Sequence, residues 1–124
     1  MKIAIPLFNG RISPRFDFSP EMWVVTVENG VLVEQERFPV TNLNLTQRLD
    51  QITSKGVDKV ICGGIDRSSL DQLGNRGVEV VPDIMGDAEL AFNLFMRGRL
   101  RSGFCCERRR GVCAGRKSSG GRRA

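Results

Sequence analysis

The stretch Val60-Ile61-Cys62-Gly63-Gly64-Ile65-Asp66 constrains the fold more than any other, because a short apolar run passes directly into two adjacent glycines. The run predicts a buried strand. The glycines predict a turn whose backbone takes left-handed angles and lets another group approach with no side chain in the way. One wall of any binding site is therefore expected here.

The chain around this stretch supplies the partners such a strand needs. Val57 to Cys62 shows no apolar alternation, as expected of a strand covered on both faces. Ahead of it, Asn44 with Gln47 three residues later resembles a capping pair opening a helix with Leu45, Leu49 and Ile52 inside, ended by Gly56 as a left-handed cap. Behind it, a helix is expected from Ser68 or Ser69, burying Leu70 and Leu73 and ending at Gly77. A short strand over Val78–Val81 stops at Pro82, and Asp87 caps a third helix with Leu90, Ala91, Leu94 and Phe95 inward, ended by Arg97 and Gly98.

The first forty residues predict more sheet. Lys2 to Pro6 is an apolar strand closed by proline, and residues 7–20, with Asn9-Gly10, Pro14 and Pro20, predict a compact ordered loop. Met22–Glu28 and Val31–Phe38 flank Asn29-Gly30, the strongest short hairpin signal, and Pro39 stops the return strand. Glu34, Glu36 and Arg37 place that strand toward a sheet edge. The element order gives an α/β fold with a mixed sheet of about five strands, an N-terminal β-hairpin and three helices. Right-handed crossovers put the loops after Pro6, Cys62 and Val81 at one edge, where open sheets bind ligands.

Length and charge divide the chain. With 124 residues and 40% apolar content, one core is affordable and two are not. Residues 1–96 hold nine Lys/Arg against thirteen Asp/Glu, whereas residues 97–124 hold ten against one. Residues 1–100 are thus expected to form one α/β domain. Residues 101–124 form a basic Cys/Arg/Gly-rich tail with too few large apolar side chains to offset the entropy of ordering. No apolar run approaches the roughly 18 residues of a membrane helix, and Met1-Lys2 leads into a strand, so a cytoplasmic protein is expected, with no membrane association.

Four cysteines, one in the body and three in the tail, do not form the distributed framework of a small secreted domain, and the chain has no histidine. Any metal must then rest on thiolates, carboxylates or inorganic sulfide. Cys62 is either a small apolar filler at a strand end or a soft thiolate for iron, molybdenum or copper. Gly63 and Gly64 either make the strand-to-helix turn or present amides to an anion. Arg15 either neutralises a cluster or phosphate or pairs with Asp17 at the surface. Asp66 and Asp87 are expected to cap helices.

Cys105, Cys106 and Cys113 match no standard zinc spacing, so they are either solvated thiols or tail ligands for a metal or cluster. Arg108 to Arg110 and their neighbours suit salt-sensitive, sequence-independent nucleic-acid binding or docking to an acidic protein. Catalysis is not expected. Lys2 to Pro6 carries no carboxylate for a strand-borne nuclease site, and there is no dinucleotide or phosphate-loop glycine motif and no histidine base for a nucleophile.

Four blocks taken together, Ile3-Ala4-Ile5-Pro6, Ile12-Ser13-Pro14-Arg15-Phe16-Asp17, Val57 through Ile65, and Gly86-Asp87-Ala88-Glu89-Leu90-Ala91, resemble the dinitrogenase iron–molybdenum cofactor-binding family over about residues 1–100. The resemblance implies a ribonuclease H-like three-layer fold. It also implies non-catalytic holding of an anionic iron–sulfur or molybdenum-containing cluster and delivery to a partner, a cluster donor or recipient protein; the residues expected to hold it at the carboxyl edge of the sheet are Arg15, Cys62, Gly63 and Gly64. Family members often carry His followed by Phe-Gly in the first loop; here Arg15-Phe16-Asp17 stands in its place and the imidazole is gone.

Overall fold

The computed structural model describes residues 1–103, Cys105 and Cys106. Strands β1 (Lys2–Phe8), β2 (Arg11–Ile12), β3 (Glu21–Glu28) and β4 (Val31–Pro39) precede helix α1 (Leu45–Ser54). Then come β5 (Lys59–Ile61), α2 (Arg67–Asn75), β6 (Glu79–Val81), β7 (Met85–Gly86), α3 (Ala88–Met96) and β8 (Cys105–Cys106). The main sheet has six strands in the order β4-β3-β1-β5-β6, with β2 paired to β1 off that path. The hairpin strands are antiparallel, while β5 and β6 run parallel to β1, so the sheet is mixed as expected.

Alternation along the strands separates two cores. Ile3, Ile5 and Leu7 of β1 point to the same side as Trp23, Val25 and Val27 of β3, where Ala88, Ala91 and Phe92 of α3 cover them. Ala4, Met22, Val24, Val60 and Cys62 face the other side, covered by Leu49 and Ile52 of α1 and Leu73 of α2. Three layers result. The hairpin turn forms on Asn29 (φ 54°) and Gly30 (φ 77°), and the Asn44/Gln47 capping box opens α1 with both reciprocal bonds at 2.8 Å.

Three features differ from the sequence reading. First, β1 continues through Pro6 to Phe8. The Pro6 carbonyl accepts from Ser13 N–H at 2.9 Å, so the nitrogen that cannot donate lies on the β2 side and costs the β1–β3 ladder nothing. Second, Asn9 (φ 53°) and Gly10 (φ 79°) turn the chain into the short β2, giving the first loop a strand of its own. Third, the packed chain passes the boundary drawn at residue 100.

That continuation has a physical cause. Ser102 Oγ donates to the Pro82 carbonyl at 2.8 Å, Gly103 N–H donates to the Asp83 carbonyl at 3.0 Å, and β8 then pairs in parallel with β7. Cys106 is buried among the residues of the α3-side core, so the burial that holds this strap comes from a cysteine behaving as an apolar residue. Cys113 and the arginine-rich segment expected to bind nucleic acid lie outside the described residues. No helix among the described residues is long and apolar enough to cross a membrane.

Candidate functional site

The carboxyl ends of β1, β5 and β6 lead into three segments that enclose a cleft of about 290 Å³. Arg11, Ile12 and Pro14 form one wall, Gly63 and Gly64 the base, and Asp83, Ile84, Met85 and Gly86 the opposite wall. The strand ends fix these positions. Gly64 N–H donates to the Pro14 carbonyl at 2.7 Å and Phe16 N–H to the Gly64 carbonyl at 2.8 Å. On the far side, Asp83 N–H donates to the Gly63 carbonyl and Ile84 N–H to the Cys62 carbonyl, both at 3.0 Å.

Neither Gly63 nor Gly64 takes the left-handed angles expected of it, and the glycine pair does more packing than anion binding. A Cβ on Gly63 would lie 2.5 Å from the Ser13 carbonyl oxygen, and one on Gly64 would lie 2.9 Å from that of Pro14. The backbone that needs the missing side chains is the first loop's own, and the Gly64 amide is already spent on Pro14. What the cleft receives is a shallow floor of main chain.

Cys62 sits directly beneath this floor but points away. Its side chain is 0% exposed and belongs to the core under α1 and α2, whereas Ile12 and Ile84 of the cleft belong to the α3-side core. Burial, reinforced by the nearby charge of Asp83, pushes the thiol up to about 12 from an ordinary 9.0. It stays protonated at neutral pH in the metal-free chain, and its burial under α1 and α2 is what a small apolar filler shows.

Arg15 is also displaced from the cleft lining. Its guanidinium donates to both Asp17 carboxylate oxygens, at 3.2 and 3.0 Å, and lies 4.6 Å from the centroid of the exposed Phe18 ring. The surface-pair reading describes it. Asp66 and Asp87 act as caps: Asp66 accepts from Ser69 N–H at 3.0 Å and Ser69 Oγ at 2.6 Å, which holds its carboxyl below the usual range, and Asp87 accepts from Leu90 N–H at 2.9 Å.

Three cleft residues escaped sequence reasoning. Arg11 supplies the cation, positioned by the β2 turn and an isolated bridge to Asp87. Met85, 57% exposed, supplies a polarisable thioether, and Asp83 (φ 61°) supplies a carboxylate at the opposite wall. The signal for Arg11 was present: Asn9-Gly10 between Leu7-Phe8 and Ile12 is itself a hairpin pattern that carries the next residue back to the sheet edge. Nothing local announced Met85.

Of the tail cysteines, the two among the described residues do not line the cleft. Cys105 is disulfide-bonded and Cys106 is a buried thiol. Among the described residues, no group of three or more His, Cys, Asp or Glu is arranged to hold a metal ion. Among the described residues, the cleft is thus lined by one arginine, one methionine, one aspartate and an apolar, glycine-floored surface.

A family model described as "Dinitrogenase iron-molybdenum cofactor" matches residues 1–98. The chain belongs to the dinitrogenase iron–molybdenum cofactor family. The protein MJ0580 of Methanocaldococcus jannaschii is 28% identical over 105 residues, covering 81% of this chain and 89% of its own. The crystal structure of PH0822 superposes with a TM-score of 0.77 at 23% identity, covering 82% of this chain and 94% of that one. The apo form of the orange protein from Desulfovibrio gigas superposes at 0.68 with 19% identity, covering 82% and 91%. At those identities the two structures speak for the fold, which this family member shares.

Proposed function

We propose that this chain is a non-catalytic carrier that holds an anionic iron–sulfur or molybdenum-containing cluster as cargo in the Arg11–Gly64–Met85 cleft and passes it to a recipient protein. The observation that carries the reading is the donor set: Arg11 and Met85 stand over a floor of glycines opposite the single carboxylate of Asp83, and among the described residues no cysteine or histidine lines the cleft. Such a surface suits a cluster whose metals are already saturated by sulfide. Its negative charge is met by the guanidinium, and its polarisable rim by the thioether and apolar contacts. Cargo held this way leaves without breaking a bond to the protein, as delivery requires.

The absence of a histidine anywhere in the chain agrees with this mode, since imidazole ligation is not at hand. Membership of the family supports cluster cargo in general terms. We also read the fold as ribonuclease H-like, which the mixed sheet with helices on both faces supports.

The reading is tested by incubating the full chain anaerobically with iron, sulfide and tetrathiomolybdate, desalting it, and measuring bound metal and visible absorption. Metal retained by the full chain and by a variant ending at Cys106 is the expected result. Retention no higher than that of an unrelated thiol-containing protein overturns the reading. Loss on removing residues 107–124 moves the site to the tail.

A further inference from the structure

A second surface, remote from the cleft, lies where the sheet ends. Among the described residues, strand β4 pairs with β3 on one side only, and all its residues except Phe38 are exposed. Its first half carries three consecutive apolar residues, Val31 (59% exposed), Leu32 (36%) and Val33 (53%). An exposed apolar run on a sheet edge is a feature that soluble domains otherwise avoid.

Beside it, on the α3 face, a groove of about 280 Å³ runs between β4 and α3. Its floor is the Trp23 and Phe92 rings, 5.7 Å apart at 60°. The indole N–H is already satisfied by Gln35 Oε1 at 2.9 Å, so the floor asks only for apolar contact. Leu32, Gln35, Glu89 and Asn93 form its walls.

Charge selects the occupant. The hairpin, residues 21–39, holds four glutamates against the single Arg37. Arg37 is engaged within the surface, 3.7 Å from Glu89 and 4.9 Å from the Trp23 ring centroid. Glu34 and Glu36 project from β4 opposite Thr26 and Val24, toward the α1 side, where Lys55 Nζ already donates to both Glu36 carboxylate oxygens at 3.3 Å. A second copy pairing antiparallel about Gln35 would set Glu34 of one molecule against Glu36 of the other, which like charges oppose.

We propose that the β4 edge and the Trp23–Phe92 groove dock an extended segment of a partner protein that alternates apolar with lysine or arginine side chains and joins the sheet as a strand next to β4. Its main chain satisfies the open edge. Its apolar side chains enter the groove, and its cations meet Glu34, so that backbone pairing supplies affinity and alternate side chains supply selectivity.

Trp23 is the only tryptophan in the chain and reports on the groove directly. The probe is a ten-residue peptide of alternating Lys and Val, titrated into the full-length protein while Trp fluorescence and amide hydrogen exchange are followed. A saturable fluorescence change with slowed exchange over residues 31–38 is expected. Val33→Lys and Glu34→Lys, both at exposed positions, should weaken binding about tenfold or more with an unchanged circular dichroism melt. Equal binding of a Glu-Val peptide overturns the proposal, as does unchanged exchange over residues 31–38 at saturating Lys-Val peptide. So does finding residues 31–38 already protected in the free protein and released by deleting residues 107–124, which would make the chain's own tail the occupant.

Discussion

The two walls of the cleft are held in different ways. The Arg11–Pro14 wall is bonded to the base of the cleft through Gly64, and its continuation is pinned from below. Arg48, almost fully buried, donates to the Ser19 carbonyl at 2.6 Å, to Ser19 Oγ at 2.9 Å and to the Leu43 carbonyl at 3.2 Å. The Asp83–Gly86 wall also bonds to the base, but its outer side depends on the strap, where Asp87 N–H donates to the Cys106 carbonyl at 2.6 Å. One wall is part of the domain's interior; the other is fastened by the last described residues. The second wall should therefore open more readily, and under the proposed carrier function cargo would enter and leave on the Met85 side.

The most severe test of this difference is Gly86→Ala. Gly86 has φ 106°, and an added Cβ would collide with the backbone of Cys106. Strain and overpacking together should cost about 3 kcal/mol or more by denaturant unfolding, with exchange over residues 84–87 released first. A loss under about 1 kcal/mol would mean that the strap is not seated on this wall.

Gly63→Ala attacks the other wall, where the Ser13 carbonyl must move from 2.5 Å. A loss of about 2 kcal/mol is expected, and it should be accompanied by faster exchange over residues 13–16 rather than 84–87. Arg48→Met sharpens the same point: leaving the Ser19 groups without their buried partner should cost about 1–3 kcal/mol while sparing the strap. Equal loosening of both walls in either variant would contradict the asymmetry.

The smallest expected effect concerns Cys62. Its folded thiol titrates near 12 and an unfolded one near 9.0, so its contribution is intact below pH 9 and is lost as pH rises toward 12. Unfolding free energy should fall across that window by up to about 1.4 kcal/mol per pH unit from this group, a slope that Cys62→Ala removes. The native thiol should also resist iodoacetamide at pH 8 until the protein unfolds.

Most of the fold was legible in the sequence because its signals are local. Asn29-Gly30, Asn44 with Gln47, Gly56, Asp87 and the apolar runs each dictate their own neighbourhood, and the sheet follows from joining them. The strap was not legible, since Cys105-Cys106 has no strand pattern and is ordered only by meeting Met85-Gly86, which are distant in sequence. The site divides along the same line. Gly63-Gly64 marked the base of the cleft, but strand parity alone turns Cys62 to the α1/α2 side, and a one-residue shift would have reversed it. Arg15 drew attention over Arg11 because it lies in the motif, whereas the β2 turn decides which arginine reaches the cleft.

The central claim is that cargo is held by the cleft surface and not by the Cys62 sulfur. It is tested most directly by loading wild type, Cys62→Ala and Arg11→Glu in parallel with iron, sulfide and tetrathiomolybdate under anaerobic conditions, then measuring metal retained per folded chain. The account predicts wild-type retention in Cys62→Ala and a loss of about tenfold or more in affinity for Arg11→Glu. Metal lost from Cys62→Ala and kept by Arg11→Glu would contradict it.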